Sequence, residues 1–162
     1  MLTAARSGEA LGAQWQEIDL DASVWTVPAS RMKAKRLHRV PLSKAAMAIL
    51  NPLYEARVSD FIFPGQKHEK PLSGMAMEML LRRMKVEDAT VHGFRSAFRD
   101  WCGEETSFPR EVAEAALAHE VGNAVERAYR RGDALEKRRL LMDAWTGYCH
   151  GAGSNILKFA TA

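Results

Sequence analysis

At 162 residues, with 47% apolar and 27% charged side chains, the chain has the makeup of one domain able to bury a core, and it excludes a disordered or fibrous protein. The formal net charge of +3 leans basic. No apolar run approaches the roughly 18 residues of a membrane span, no signal-peptide pattern opens the chain, and the reading is a cytoplasmic protein with no membrane partner.

In chain order the pattern is mostly helical. "RSGEALGAQW" reads as a helix with Leu11 and Trp15 on a core face. "IDLDASVWTVP" alternates apolar and polar residues around Asp21 and Ala22, the pattern of a β-hairpin. "LHRVPLS" supplies a third short strand, which leaves residues 28 to 36 as an exposed basic turn. Ser43 is placed to cap "KAAMAIL", and Asn51-Pro52 is expected to interrupt or kink that helix. "FIFPG" is extended, and Ser73 is placed to cap "MAMEMLLRRM", whose methionines read as core filler. Helices are expected at about 91–105, 109–118, 122–131 and 134–148, with Gly103, Pro109 and Gly122 at the joints. The fold class is therefore mainly α with a small three-stranded antiparallel β-sheet near residues 16–42.

Charge and cysteine usage narrow the chemistry. Six Lys or Arg and no acid stand between Arg31 and Lys44, and six against two acids between Arg127 and Arg139. Such patches are the footprint of a polyanion partner, with a solvated basic face as the plain alternative. Cys102 and Cys149 lack CxxC spacing, which argues against a disulfide scaffold or a structural zinc site. Both read as buried structural thiols. All four tryptophans read as core residues rather than base-stacking platforms.

Within "VHGFRSAFRDW", His92, Arg95 and Arg99 follow offsets of three and four, so they share one helix stripe. Phe94, Ala97, Phe98 and Trp101 are expected on the opposite, apolar stripe. Like charges four apart repel unless something sits between them. A solvated face or a bound anion satisfies that stripe. Other polar residues break the apolar patterns in the same manner: Arg6 before a helix, Lys33 and Lys35 in the basic turn, His119 at a helix end, and Tyr129 beside Arg130 and Arg131. Arginine forks suit non-bridging phosphate oxygens. Lysine or histidine can move a proton to or from an oxygen. A phenol attacks phosphorus only when a base and a cationic field activate it. Together these types describe a metal-free site for moving a phosphodiester, although each one alone is commonly structural.

The order of these pieces resembles the tyrosine recombinases, or phage integrases. "TAARSGEAL" is similar to the family's first arginine motif, with Arg6 as phosphate ligand and Glu9 as its helix partner; the family usually has Gly where Ala4 stands. "RMKAKRLHRVPLS" resembles the turn that carries the catalytic lysine, and Lys33 fits that role better than Lys35. "HGFR" matches the HxxR box, giving His92 and Arg95. "LAHEVGNAVERAY" resembles the closing box, giving His119 and the nucleophile Tyr129, ten residues apart as in integrases of prophages and genomic islands.

The resemblance implies site-specific DNA recombination or integration through a 3′-phosphotyrosyl intermediate, with no cofactor, no metal and no ATP. It implies that residues 1–162 are a C-terminal catalytic domain, lacking the first helices and the core-binding and arm-binding domains. It also implies double-stranded DNA attachment sites as partner and a homo-tetramer of the full-length protein on DNA. Lys35, Arg36, Arg99, Arg130 and Arg131 are expected to contact the DNA backbone, Arg99 with a structural role as the alternative. The segment from about Ala134 onward, with its stripe of Leu141, Ala144, Trp145 and Tyr148, is expected to dock on a neighbouring protomer, with packing in cis as the alternative. Two rival readings remain: a non-catalytic DNA-binding fragment, and a metal-dependent nuclease. The second lacks HxH or HxxxH pairs among the five histidines.

Overall fold

Glu9 sets the start of the first helix. Its carboxylate accepts the main-chain N–H of Arg6 at 2.9 Å and the Arg6 guanidinium at 2.8 Å, so α1 spans Ser7–Leu11. The helix was expected to continue through Trp15. It stops instead because Ala13 and Trp15 pair with the segment near residue 61: Ile62 N–H donates to the Ala13 carbonyl and Trp15 N–H to the Asp60 carbonyl, each at 2.9 Å. Trp15–Glu17 then form a separate 3-10 turn. The computed structural model describes residues 1–67, 69–119 and 132–151.

The sheet comprises β1 (Ile18–Asp19), β2 (Val24–Val27) and β3 (His38–Pro41), antiparallel in that order. Trp25 pairs with Ile18 on one side and with Val40 on the other. The hairpin is closed by Asp19, whose carboxylate accepts the Ala22 N–H at 2.8 Å. The turn from β2 to β3 is not wholly exposed, contrary to the sequence reading. Met32 is fully buried in the core, and Arg31 forms an ion pair with Glu17 while donating to the Glu9 carbonyl at 2.5 Å. Glu17 also accepts the Trp25 indole N–H at 2.9 Å. These anchors hold the turn from below and leave Lys33, Lys35 and Arg36 at the surface.

Helix α2 spans Lys44–Glu55, and the Ser43 hydroxyl accepts the Ala46 N–H as expected. It runs through Pro52 rather than breaking there. Pro52 is exposed, so water can serve the carbonyl that its ring leaves without a donor. Ser73 does not cap α3 (Ala76–Arg83). Its hydroxyl accepts the Met75 N–H at 3.3 Å, ahead of the helix. Nor are the methionines core filler: α3 buries no side chain, and Met75, Met79 and Met84 are exposed.

Helices α4 (Gly93–Glu104), α5 (Arg110–Ala116) and α6 (Leu135–Cys149) complete the described residues. Pro109 does stand at the N-cap of α5, whereas α4 passes through Gly103 and ends one residue later, at Glu104. The helix expected at 122–131 lies outside the described residues. One core joins Phe98 and Trp101 of α4, Val112 and Ala113 of α5, and Leu141, Met142 and Trp145 of α6. A second joins Trp25, Val27 and Val40 of the sheet to Ala46 and Leu50 of α2. The α6 stripe expected to need another protomer is therefore covered in cis, through Leu141 and Trp145; Tyr148 remains exposed. Trp25, Trp101 and Trp145 are buried, and Trp15 packs at the edge of the second core. Burial pushes the Cys102 thiol up to about 12, which makes it an inert core group. Among the described residues, six helices and the three-stranded sheet match the expected fold class.

Candidate active site

Arg95 is the centre of the site, and it is buried (8% exposed). That overturns the expected division of α4 into polar and apolar stripes: Arg95 lies with Phe98 and Cys102 on the buried side, and Ala97 is exposed. The backbone explains how a guanidinium tolerates this position. One terminal nitrogen donates to the Ala4 carbonyl, and the other donates to the Leu117 carbonyl at 2.9 Å and to His119 Nε2 at 3.3 Å. Ala4 has φ of 49° and Ala118 has φ of 51°. Both left-handed residues lie at the points where the chain turns a carbonyl towards Arg95. Burial first, and then the charge of Arg6, lower the Arg95 pKa from its ordinary value; the group remains a cation at neutral pH. The Glu9 charge acts in the opposite sense, but among the described residues no carboxylate hydrogen-bonds to Arg95. A buried cation held only by neutral acceptors is short of negative charge.

His119 is positioned by the end of α5. Its N–H donates to the Glu114 carbonyl at 2.9 Å, and the Ala118 N–H donates to the Ala115 carbonyl at 3.1 Å. This is a Schellman closure with Ala118 where glycine is usual. It folds His119 back over Glu114, so that Nδ1 lies 2.7 Å from Glu114 Oε2. A guanidinium can only donate, so Nε2 accepts from Arg95 and the ring proton sits on Nδ1, bonded to the carboxylate. The other Glu114 oxygen takes Arg99 Nε at 2.6 Å. Partial burial opposes ionisation of Glu114, but the hydrogen bonds from His119 and Arg99 outweigh it and hold the carboxyl below its ordinary range.

The remaining expected residues are distributed around this centre. Arg6 is partly exposed, paired to Glu9, and close enough for its charge to act on Arg95. His92 is exposed, and its carbonyl accepts the Arg95 N–H at 3.0 Å, at the start of α4. Lys33, Lys35 and Arg36 are exposed on the β2–β3 turn, with Lys35 at φ of 52°; no contact joins Lys33 to Arg6, Arg95 or His119 among the described residues. Arg99 is engaged with Glu114. Tyr129, Arg130 and Arg131 lie outside the described residues. Sequence reasoning missed Glu114, whose only signal is a carboxylate five residues before a histidine at a helix end.

A desolvated arginine, a second arginine beside it and a histidine oriented by a carboxylate form an arrangement that can receive an oxyanion, carried on a mostly helical domain with a small antiparallel sheet. Residues 1–136 match the model of the Phage integrase family, and the chain belongs to that family. It is similar to Prophage integrase IntA of Escherichia coli (strain K12), with 44% identity over 162 residues covering 97% of this chain and 38% of that protein. The Integrase of Enterobacteria phage P4 is 35% identical over 166 residues, covering 91% of this chain and 38% of its own length. The chain thus spans under two fifths of the length of these curated relatives. Among solved structures, XerA recombinase shares the fold, with a TM-score of 0.59 and 14% identity over 91% of this chain and 54% of that one.

Proposed function

We propose that the chain is the catalytic domain of a site-specific DNA recombinase that cuts and rejoins DNA without a metal or ATP. The observation that carries this reading is the buried Arg95 cation, flanked by Arg6 and His119 and hydrogen-bonded, among the described residues, to neutral acceptors and to no carboxylate. A phosphodiester supplies the missing charge. In the proposed reaction the Tyr129 phenolate attacks phosphorus and expels a 5′-hydroxyl, leaving a 3′-phosphotyrosyl bond that conserves the energy needed to rejoin the strands. Arg6 and Arg95 bind the non-bridging oxygens and stabilise the charge that builds up in the transition state. Lys33 gives the leaving oxygen its proton, His92 takes part in acid–base transfer, and His119 hydrogen-bonds the phosphate. Lys35, Arg36, Arg130 and Arg131 contact flanking phosphates. Double-stranded attachment-site DNA is the substrate, and a homo-tetramer of the longer protein is the working assembly.

The test is a covalent adduct on nicked DNA. A randomised pool of nicked duplexes is incubated with the protein and resolved on a denaturing gel, and the captured duplexes are then used singly. Tyr129→Phe removes the attacking oxygen and keeps the ring, so the adduct should disappear while Tyr54→Phe and Tyr148→Phe retain it. Undiminished adduct in Tyr129→Phe would refute the assignment of the nucleophile. DNA binding with no adduct from the unmodified protein would favour a non-catalytic DNA-binding role.

A further inference from the structure

Helix α4 carries two arginines one turn apart, and α5 returns a carboxylate and an imidazole to the same place. The four side chains form one continuous series: Arg95 to His119 at 3.3 Å, His119 to Glu114 at 2.7 Å, and Glu114 to Arg99 at 2.6 Å. The Glu114 carboxylate thus neutralises Arg99 directly and reaches Arg95 only through the His119 ring. Its side chain is only 11% exposed, while that of His119 is 44% exposed. A carboxylate this buried, with one oxygen on each partner, is a support rather than a ligand for substrate. Arg110 also approaches it, but at 3.7 Å and from a side chain that is 75% exposed, which makes that pair weak.

We propose that Glu114 is a positioning residue of the site: by accepting the Nδ1 proton it holds His119 in one tautomer with Nε2 turned towards Arg95 and the anion bound there, and Arg99 fixes Glu114 in turn. This rests on the recombinase reading for its catalytic consequence, though not for its geometry. It also gives Arg99 a role inside the protein rather than on the DNA backbone. A free neutral imidazole interconverts its tautomers, and the hydrogen bond at one nitrogen decides which persists. Orientation of this kind affects rate steeply, because a misplacement of about 1 Å can cost roughly 100-fold.

The tautomer can be read without any activity. Two-bond proton–nitrogen correlation spectra of ¹⁵N-histidine-labelled protein at pH 8 distinguish Nδ1–H from Nε2–H for His119. The unmodified protein should show Nδ1–H, and a ring protonated at Nε2 alone overturns the proposal whatever the variants do. Glu114→Gln keeps a carbonyl acceptor and should keep the tautomer, whereas Glu114→Ala should lose it. An unchanged tautomer in Glu114→Ala also overturns the proposal. On the captured nicked duplex, Glu114→Ala should slow adduct formation by roughly 100-fold, with Glu114→Gln recovering most of the rate. Equal losses in both variants would identify Glu114 as a merely structural group. Should no protein form adduct, the recombinase reading fails while the spectra still decide the role of Glu114.

Discussion

Ala4 and Ala118 share nearly the same left-handed φ, 49° and 51°, yet they respond differently to glycine. A left-handed residue with a Cβ costs about 1–2 kcal/mol, and glycine gives back about 0.5–1 kcal/mol through its unfolded-state entropy. Ala118 is only partly buried, so Ala118→Gly should raise stability by about 0.5 kcal/mol, read as a higher urea midpoint with an unchanged slope. Ala4 is 3% exposed and its methyl is part of the first core. Burying that carbon contributes about 0.8 kcal/mol, which offsets most of the strain and explains why alanine is accepted there. At this scale "HGFR" was legible because spacing and residue type suffice to mark Arg95. Glu114 was not. In sequence it is one more acid on a charged helix, and no spacing rule shows that the turn at Ala118 brings His119 back over it.

At the scale of elements, the main errors were breakers that exposed helix positions tolerate. Pro52 and Gly103 stand inside helices because their surroundings tolerate the lost donor or the missing side chain. Gly12, by contrast, ends α1, because strand-like pairing to residues 60–62 competes for the chain. The three strands were legible from alternation, since each presents one side to the second core. What alternation does not show is the joint between β3 and α6. Arg138 is 1% exposed; it donates to the Arg39 carbonyl at 2.5 Å, to the Asp133 carbonyl at 2.8 Å and to the Asp133 carboxylate at 2.9 Å. Arg39 grips the same carboxylate from the other side, at 2.7 and 2.9 Å. Arg138→Leu would leave these acceptors without their donor and should cost about 2–4 kcal/mol. A shift of the urea midpoint measures it; a change below 1 kcal/mol would show that the joint is dispensable.

At the scale of the whole molecule, stability should depend on acidity through His38. Burial first, and then the nearby Arg138 charge, lower His38 from its ordinary 6.5 to about 4, with Glu9, Asp133 and the main chain of Ala116 acting in the opposite sense. A base whose folded value is depressed stays neutral in the native state while the unfolded chain takes up a proton. Stability is therefore complete above about pH 6.5 and falls as the pH drops towards 4. Between pH 7 and pH 5 the loss from this residue should be about 2 kcal/mol. Urea unfolding at the two pH values measures it, and His38→Gln should flatten that part of the profile. If the variant keeps the full slope, His38 is not the group responsible.

The two carbonyls that hold Arg95 also carry a kinetic consequence. Ala4 is 91 residues away along the chain and Leu117 is 22 away. Both loops must close before the guanidinium has its acceptors, and long closures come late because their entropy is lost before any contact compensates it. A chain caught midway, with α4 formed but its start unattached, has a basic surface and no formed cradle for an anion. On the proposed function, competence to engage a phosphodiester and completion of folding are then the same event.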